Sequence, residues 1–180
     1  MERQKKANLI KLHLGCGTNL KKGWINLDIS KEVKPDICHN LDKFPYPFKD
    51  NFFDYVYADN VLEHLEDLMK TMEELNRITK KEGIIEIIVP LAPTMHAFRD
   101  PTHKLFFTYR TFEYFLKNNG LNYYSKARFE IVERKIVFHN RLGFLTKLIN
   151  LNKKVCKFLC EFFSQFFPPA FIHIKLKVEK

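Results

Sequence analysis

Residues 9–17 read LIKLHLGCG, and this stretch decides the fold that the rest of the chain can take. Its first six residues are apolar except for Lys11 and His13, as in a short strand, and Gly15 and Gly17 follow at once. Glycines after a strand allow a tight turn and let a ligand approach the backbone closely. The stretch therefore predicts a strand that ends in a ligand-binding turn.

An acidic residue stands at the end of the second predicted strand. Residues 24–29, WINLDI, form that strand, and Asp28 lies 11 residues after Gly17 (28 minus 17). In open α/β sheets, ligands bind beyond the carboxyl ends of the strands, where an acid can accept hydrogen bonds from ribose hydroxyls. A dinucleotide fingerprint needs a third glycine and an acid about 20 residues further on. Neither is present, which counts against NAD.

The remaining predicted elements follow the order of an α/β protein. Apolar residues at three- and four-residue steps predict a helix over 65–80, ended by Gly83 and followed by a strand at 84–89. We predict a loop over 91–107 and a helix over 108–119. The other predicted strands are a weak one at 35–41, and then 52–58, 129–138 and 171–178. This order predicts one α/β domain with a largely parallel sheet.

Five motifs along the chain resemble a known family. They are residues 12–17 (LHLGCG), 23–28 (GWINLD), 48–56 (FKDNFFDYV), 60–65 (NVLEHL) and 75–83 (LNRITKKEG), the last with Lys-Glu in place of Lys-Pro-Gly. In this order they resemble the small class I S-adenosylmethionine-dependent methyltransferases of the type 11-like family. The resemblance implies S-adenosyl-L-methionine as cofactor. It also implies an α/β, Rossmann-like sheet, mostly parallel with an antiparallel last strand and with helices on both faces.

The resemblance implies a single methyltransferase domain over residues 1–180. Within it, residues 9–90 would form the cofactor-binding core, and 91–128 the substrate-side loop and helix. Residues 141–170 would form an amphipathic insertion between the last two strands.

Two features depart from the family pattern. Only residues 18–23 separate the glycine turn from the second strand, which is too short for the usual crossover helix. Either that helix is reduced to a turn, or the strand begins later than predicted. Because the chain begins almost at the first strand, we expect any lid over the cofactor to come from 91–107 or from the tail.

The resemblance also implies cofactor-binding residues. Gly15, Cys16 and Gly17 would pack their backbone against the methionine part of the cofactor, and Asp28 would bind the ribose hydroxyls. Each of the glycines could alternatively serve a plain turn.

Further along the chain, the resemblance implies contacts to both ends of the cofactor. Asn40 and Leu41 would meet the adenine amine and ring face. Asp59 and Asn60 would border the methionine end and the acceptor pocket. Asn40 could instead be a turn residue, and Asp59 with Asn60 a helix N-cap.

Histidines are the natural candidates for a general base if the acceptor is a hydroxyl, because they exchange protons near pH 7. We consider His103, His64 and His96, with Asp59 as a further catalytic candidate. Loop histidines are mostly solvated, and His64 could simply pack at a helix start. The sequence has no Ser-His-Asp order, phosphate-binding loop or metal-ligand cluster, so we expect no metal and no hydrolase or kinase activity.

The formal net charge of +9 is concentrated in the tail. Residues 141–180 hold 8 basic and 2 acidic residues, a net of +6, and so leave only +3 for the first 140 residues. Residues 141–167 are apolar at helical spacing on one side and basic on the other, with prolines at 168 and 169 to end a helix. Such a helix suits packing on the sheet, contact with a second subunit, or a peripheral membrane surface.

These observations lead to one main functional hypothesis. We expect a methyltransferase that acts on a small-molecule, glycan or lipid-linked acceptor, with a nucleic-acid partner unlikely because most of the chain is nearly neutral. The alternatives are a non-catalytic partner subunit that keeps the fold, and an RNA methyltransferase. The chain shows no signal peptide and no apolar run of transmembrane length, so we expect a cytoplasmic protein, with membrane contact at most peripheral.

Overall fold

The computed structural model describes residues 9–117, 119–120, 123–138, 142–163 and 169–180. The strands are β1 (Lys11–Leu14), β2 (Ile25–Asp28), β3 (Ile37–Cys38), β4 (Phe53–Asp59), β5 (Thr79–Pro90), β6 (Arg128–Val137) and β7 (Phe171–Glu179). The α-helices are α1 (Leu68–Ile78), α2 (Met95–Phe98), α3 (Gly143–Asn150) and α4 (Lys153–Phe162), with 3₁₀ turns at Lys31–Val33, Leu62–His64 and Thr111–Phe115.

The strands form one sheet in the order β3-β2-β1-β4-β5-β7-β6. The first five strands in this order are parallel, and β7 pairs antiparallel with both β5 and β6. This arrangement confirms the predicted α/β sheet, mostly parallel with an antiparallel last strand. The chain adds β2 and β3 on one side of β1 and then crosses to β4 on the other, so the carboxyl ends of β1 and β4 flank a switch point where ligands bind in such sheets.

The hydrophobic core lies on one face of this sheet. In β7 the alternate residues Ile172, Ile174, Leu176 and Val178 are fully buried, while the residues between them are half-buried. Helix α1 contributes three fully buried side chains, spaced three residues apart, to the same core (Met72, Leu75 and Ile78). Buried side chains thus recur every two residues along the strand and every three residues along the helix, as expected for a helix packed on a sheet.

The connection between β1 and β2 is made of turns, so the usual crossover helix is reduced to a turn here, as the first of the two alternatives states. Aromatic rings lie beside it on the sheet face opposite the core. The ring of His13 lies 5.3 Å from that of Tyr57, and Trp24 lies edge-on to Tyr55 at 5.7 Å. Lys21 places its ammonium 4.6 Å from the centre of the Tyr57 ring, close enough for a cation–π contact.

Two predicted helix boundaries are wrong. Helix α1 begins after Asp67, whose carboxylate accepts the Lys70 N–H, but it passes directly into β5 at Thr79 rather than ending at Gly83. The pairing of β4 with β5 shifts between Phe53 and Tyr55, and Gly83 is one of the extra residues that β5 has at this shift.

The predicted helix over 108–119 is also shorter than expected. It is a 3₁₀ segment, Thr111–Phe115, with Phe112 and Phe115 completely buried. Because side chains three residues apart lie on one line in a 3₁₀ helix, this spacing suits the tighter turn.

The tail contains two helices rather than one. Helix α3 ends at Asn150, and Asn152 begins α4 by accepting the N–H groups of Lys154 and Val155. The predicted proline stop after Phe167 lies in part outside the described residues.

Only part of the apolar surface of these two helices is covered. Leu145, Ile149 and Cys156 pack on the core, whereas other large apolar side chains are exposed: Phe144, Leu148, Leu151, Val155, Phe158 and Phe162. Packing on the sheet therefore accounts for one stripe, and contact of the exposed stripe with a membrane surface or a second subunit stays a prediction. Among the described helices, none combines the length and the apolar character needed to cross a bilayer.

Candidate functional site

The turn after β1 is held against the end of β2. Both Gly15 and Gly17 have positive φ angles, +55° and +48°, which glycine adopts without strain. The Cys16 N–H donates to the Leu27 carbonyl at 3.0 Å, and the Gly17 N–H donates to Asp28 Oδ2 at 2.8 Å. These bonds fix the glycine turn beside the Asp28 carboxylate, as the sequence pattern predicts.

The two glycines serve different purposes. A Cβ atom on Gly15 would lie only 2.5 Å from Val61 Cγ2, so this position must be glycine for the turn to pack against the segment after β4. A Cβ atom on Gly17 would have no described heavy atom within 4 Å. Gly17 therefore faces open space into which a ligand can approach the backbone.

A cavity of about 720 Å³ opens at the carboxyl edge of the sheet. Residues at or just after the carboxyl ends of β1, β2, β3 and β4 line it. These ends meet at one edge of the sheet because the strands are parallel. The predicted site residues in its wall are Gly15, Asp28, Asn40, Leu41, Asn60 and His64. Cys16, Gly17, Asp59 and His103 lie nearby without lining it.

Several wall residues were not foreseen. Pro101, Thr102 and Lys104 come from the loop at 91–107 and close one side of the cavity, in the place expected for a lid. The Pro-Thr-His motif at 101–103 was the signal for this loop, although it singled out only the histidine. None of the described tail residues 142–163 is in the wall.

Asn40 combines the two roles that the sequence left open. Its Oδ1 accepts the Asp42 N–H at 2.9 Å and its carbonyl accepts the Lys43 N–H, so it closes a turn. It lines the cavity from that turn, next to Leu41, which is nearly buried.

Asp59 is engaged by its neighbours at the end of β4. One carboxylate oxygen accepts the Tyr57 hydroxyl at 2.8 Å, and the other accepts the Asn60 amide at 2.8 Å. Burial, and then the Asp59 carboxylate, raise the pKa of Tyr57 so that its hydroxyl keeps the proton it donates. Asp59 therefore orients Asn60, which lines the cavity. It does not cap the short helix that follows, since Val61 holds the N-cap position.

A cluster of Glu63, His64 and His103 borders the cavity on the side of the loop at 91–107. The rings of the two histidines lie 4.8 Å apart. Glu63 is only 1% exposed, and burial raises the pKa of its carboxyl to about 7. His96, the third candidate histidine, lies elsewhere, with its ring 5.4 Å from that of Phe171.

The switch point, the glycine turn after β1 and the acid at the end of β2 define a Rossmann-like, nucleotide-binding class of protein. Comparisons with known proteins narrow this class. Residues 12–87 match the family model described as a methyltransferase domain. This match, over 76 of the 180 residues, supports a class I S-adenosylmethionine-dependent methyltransferase domain in the chain.

Two curated relatives illustrate how similar the chain is to known proteins. The chain is 30% identical over 165 residues to an uncharacterised protein of Methanocaldococcus jannaschii, a match that covers 84% of this chain and 66% of that protein. It is 34% identical over 88 residues to a demethylmenaquinone methyltransferase of Staphylococcus saprophyticus, covering 46% of this chain and 37% of that protein.

A solved structure shares the fold at low identity. The S-adenosylmethionine-dependent methyltransferase from Archaeoglobus fulgidus has a TM-score of 0.64 and 17% identity, and the match covers 94% of this chain and 86% of that one. Nearly the whole chain therefore takes part in the fold shared with this structure. By contrast, the chain spans less than two thirds of the length of the curated relatives that it matches.

The residues at the carboxyl edge fit the cofactor of this family, S-adenosyl-L-methionine. Gly15 brings the backbone of the glycine turn into the cavity wall, and the Asp28 carboxylate in the same wall offers lone pairs beyond those used by Gly17 and Ser30. Leu41 and Ile29 add apolar surface suited to an adenine ring.

Proposed function

We propose that the protein transfers a methyl group from S-adenosyl-L-methionine to a small-molecule, glycan or lipid-linked acceptor. The observation that carries the proposal is one continuous cavity that runs from Asp28 to His64, with room for both a cofactor and part of an acceptor. Pocket volumes of roughly 300–1,000 Å³ are usual for ligands of this size.

In this proposal the end of the cavity at β2 and β3 holds the cofactor. The Asp28 carboxylate accepts hydrogen bonds from the ribose hydroxyls, and the backbone of Gly15, Cys16 and Gly17 packs against the methionine part. Cys16 acts through its backbone alone, since its side chain is buried and burial raises the pKa of its thiol. Asn40 and Leu41 contact the adenine.

The opposite end of the cavity, near Asn60, His64 and Thr102, receives the acceptor. The bound cofactor supplies a methyl group on a positively charged sulfur, so the main task of the protein is to hold the acceptor atom in line with that group. A hydroxyl acceptor must also lose a proton. His64 is the histidine that reaches this space, whereas His103 stands behind it.

The wall gives some support for the acceptor classes. Lys104 contributes an ammonium group at the rim, although it is paired with Glu66 at 2.7 Å, and Pro101 adds an apolar surface. Relatives named demethylmenaquinone methyltransferases support a quinone-like acceptor of the lipid-linked class. RNA is less well supported, because the basic excess lies in a tail whose described residues do not line the cavity.

The cofactor site is tested by calorimetry with the Asp28→Ala variant. We expect at least about tenfold weaker binding of S-adenosyl-L-methionine, since hydrogen bonds to a charged group contribute roughly 1.5–3 kcal/mol. The matched control is Glu32→Ala, an exposed acid just after β2, which should bind the cofactor like the original protein. Unchanged affinity in Asp28→Ala would show that the ribose site lies elsewhere.

The acceptor is tested with methyl-labelled cofactor and three separate pools from the source cells: water-soluble small molecules, glycans and a lipid extract. We expect label to appear in one pool with the original protein and not with Asp28→Ala. Cofactor binding without transfer to any pool would favour the alternative of a non-catalytic partner subunit.

A further inference from the structure

Glu63, His64 and His103 form a preorganised group of possible metal ligands. One ligand atom from each lies within 4.8 Å of the other two. Backbone hydrogen bonds hold the segment after His103 against the segment that contains Glu63 and His64. The N–H groups of Lys104 and Leu105 both donate to the Glu63 carbonyl, at 2.7 and 3.0 Å. The cluster is therefore fixed by the fold.

Hydrogen bonds assign the proton on each histidine ring. The Nδ1 atom of His103 lies 2.8 Å from the Ala97 carbonyl, which can only accept, so Nδ1 carries the hydrogen. Thr102 donates its single hydroxyl hydrogen to Asp100 at 2.7 Å, and its oxygen must then accept from Nδ1 of His64 at 3.0 Å. Both rings consequently keep a lone pair on Nε2, as metal-binding histidines with such outer partners do.

Glu63 supplies a buried carboxyl group that has no hydrogen-bond partner among the described residues. Its side chain is 1% exposed, and neither carboxylate oxygen receives a hydrogen bond from another described residue. Burying an ionised carboxylate without a partner is costly. The nearby carboxylates of Asp59 and Asp100 add to the negative potential at Glu63, which His103 opposes and which a bound cation would relieve.

We propose that Glu63, His64 and His103 bind one divalent transition-metal cation of the Zn²⁺ type. Two neutral imidazoles and one carboxylate are a ligand set of catalytic zinc sites and of other first-row metal sites with open positions. Bonds of about 2.1 Å in a tetrahedral site place the ligand atoms about 3.4 Å apart, so the side chains need to close by up to about 1.4 Å from their present separations. Mg²⁺, which prefers oxygen ligands, is excluded by the two imidazoles.

The cation would change the role of His64. Because His64 and Thr102 line the cavity, an open coordination position would face the space proposed for the acceptor. A cation lowers the pKa of a hydroxyl bound to it. The acceptor hydroxyl would then lose its proton to water, and His64 would hold the cation rather than accept the proton. Only this consequence rests on the proposed methyl transfer.

The site is tested by titrating the metal-free full chain with Co²⁺, whose visible absorption reports coordination, and then by displacing Co²⁺ with Zn²⁺. We expect one Co²⁺ per chain, full displacement by Zn²⁺ and none by Mg²⁺. Glu63→Gln and His103→Ala should weaken Co²⁺ binding by at least about 100-fold, and the outer-partner variant Thr102→Ala by about tenfold.

His173→Ala is the matched control, since this histidine pairs with Glu86 on the sheet, away from the cluster. It should bind Co²⁺ with unchanged affinity. Equal affinity in the original protein and in Glu63→Gln, or no stoichiometric binding by the original protein, would overturn the proposal.

Glu63→Gln keeps the size of the side chain, so it decides the question even where His103→Ala does not fold. Asp28→Ala, which should lose cofactor affinity, should keep its Co²⁺ affinity. Failure of the metal site and failure of the cofactor site are thereby distinguished.

Discussion

At the residue scale, the glycine turn shows how one motif meets two different requirements. Gly15 is required by the close approach of Val61, which belongs to the protein itself. Gly17 faces open space and is required, in our proposal, by the cofactor. A sequence motif cannot separate these requirements, because both appear as a glycine at a turn.

Alanine substitution should therefore lower mainly the stability at Gly15 and mainly the cofactor affinity at Gly17. Both add a Cβ at a positive φ, at a cost of roughly 1–2 kcal/mol. Gly15→Ala also collides with Val61, which adds about 1–3 kcal/mol to the loss of unfolding free energy. Gly17→Ala should lose less stability but more cofactor affinity. Urea unfolding and calorimetry measure the two quantities.

The control for this pair is Gly15→Ala in a Val61→Ala background, where the two closest atoms are removed and only the Cβ atom at 3.3 Å remains. There the cost of the glycine substitution should fall to about that of Gly17→Ala. An equal cost in both backgrounds would contradict the close contact.

At the element scale, β6 is the edge strand next to β7, and helix α3 protects it. Asn150, the last residue of α3, accepts the Ile136 N–H at 2.9 Å and donates to the Ile136 carbonyl at 2.7 Å. The side-chain amide thus replaces the neighbouring strand that an edge lacks. The amphipathic pattern of the tail predicted helices, but it gave no indication of this contact.

Asn150→Ala should loosen both β6 and α3. It leaves the two polar groups of Ile136 without this partner, and we expect a loss of about 2–3 kcal/mol of unfolding free energy. Amide exchange should quicken at Ile136 before the central strands are affected. Lys147→Ala, on the same helix, should change stability by no more than about 0.5 kcal/mol. Equal stability of the two variants would contradict this role for Asn150.

At the scale of the whole molecule, the buried Glu63 links stability to pH. The pKa of its carboxyl in the folded protein, about 7, is above its ordinary value of 4.5. The folded protein therefore binds this proton more tightly than the unfolded chain does. The resulting stabilisation is complete below pH 4.5 and is lost as the pH rises through 7.

The expected loss is at most about 3 kcal/mol of unfolding free energy, from the shift of the pKa. It should be seen by urea unfolding at several pH values, with a chelator present to keep the protein free of metal. Glu63→Gln should remove this part of the pH dependence, while Glu66→Gln, at an exposed neighbouring acid, should retain it. A pH dependence that persists in Glu63→Gln would assign it to other groups.

Much of the fold follows from local pattern. The strands at 9–14, 24–29 and 171–178 were predicted to within about two residues, because alternation and glycine turns are local properties. The predicted helix end at Gly83 is wrong because α1 ends where β5 begins to pair with β4 at Thr79. Strand pairing depends on residues that are distant in the sequence. The helix predicted over 108–119 is wrong because two buried phenylalanines three residues apart fit the core as a 3₁₀ turn.

By itself, the sequence determined the glycine turn, the acid at the end of β2 and the family resemblance, since these depend on residues close together in the chain. Only the tertiary structure brought His103 next to Glu63 and His64, some 40 residues earlier, through the bonds of Lys104 and Leu105 to the Glu63 carbonyl. Only burial in the fold leaves the Glu63 carboxyl without a hydrogen-bond partner among the residues that the structure describes. Long-range contact and burial are properties of the packed chain, and for that reason the charge pattern of the sequence predicted no metal site there.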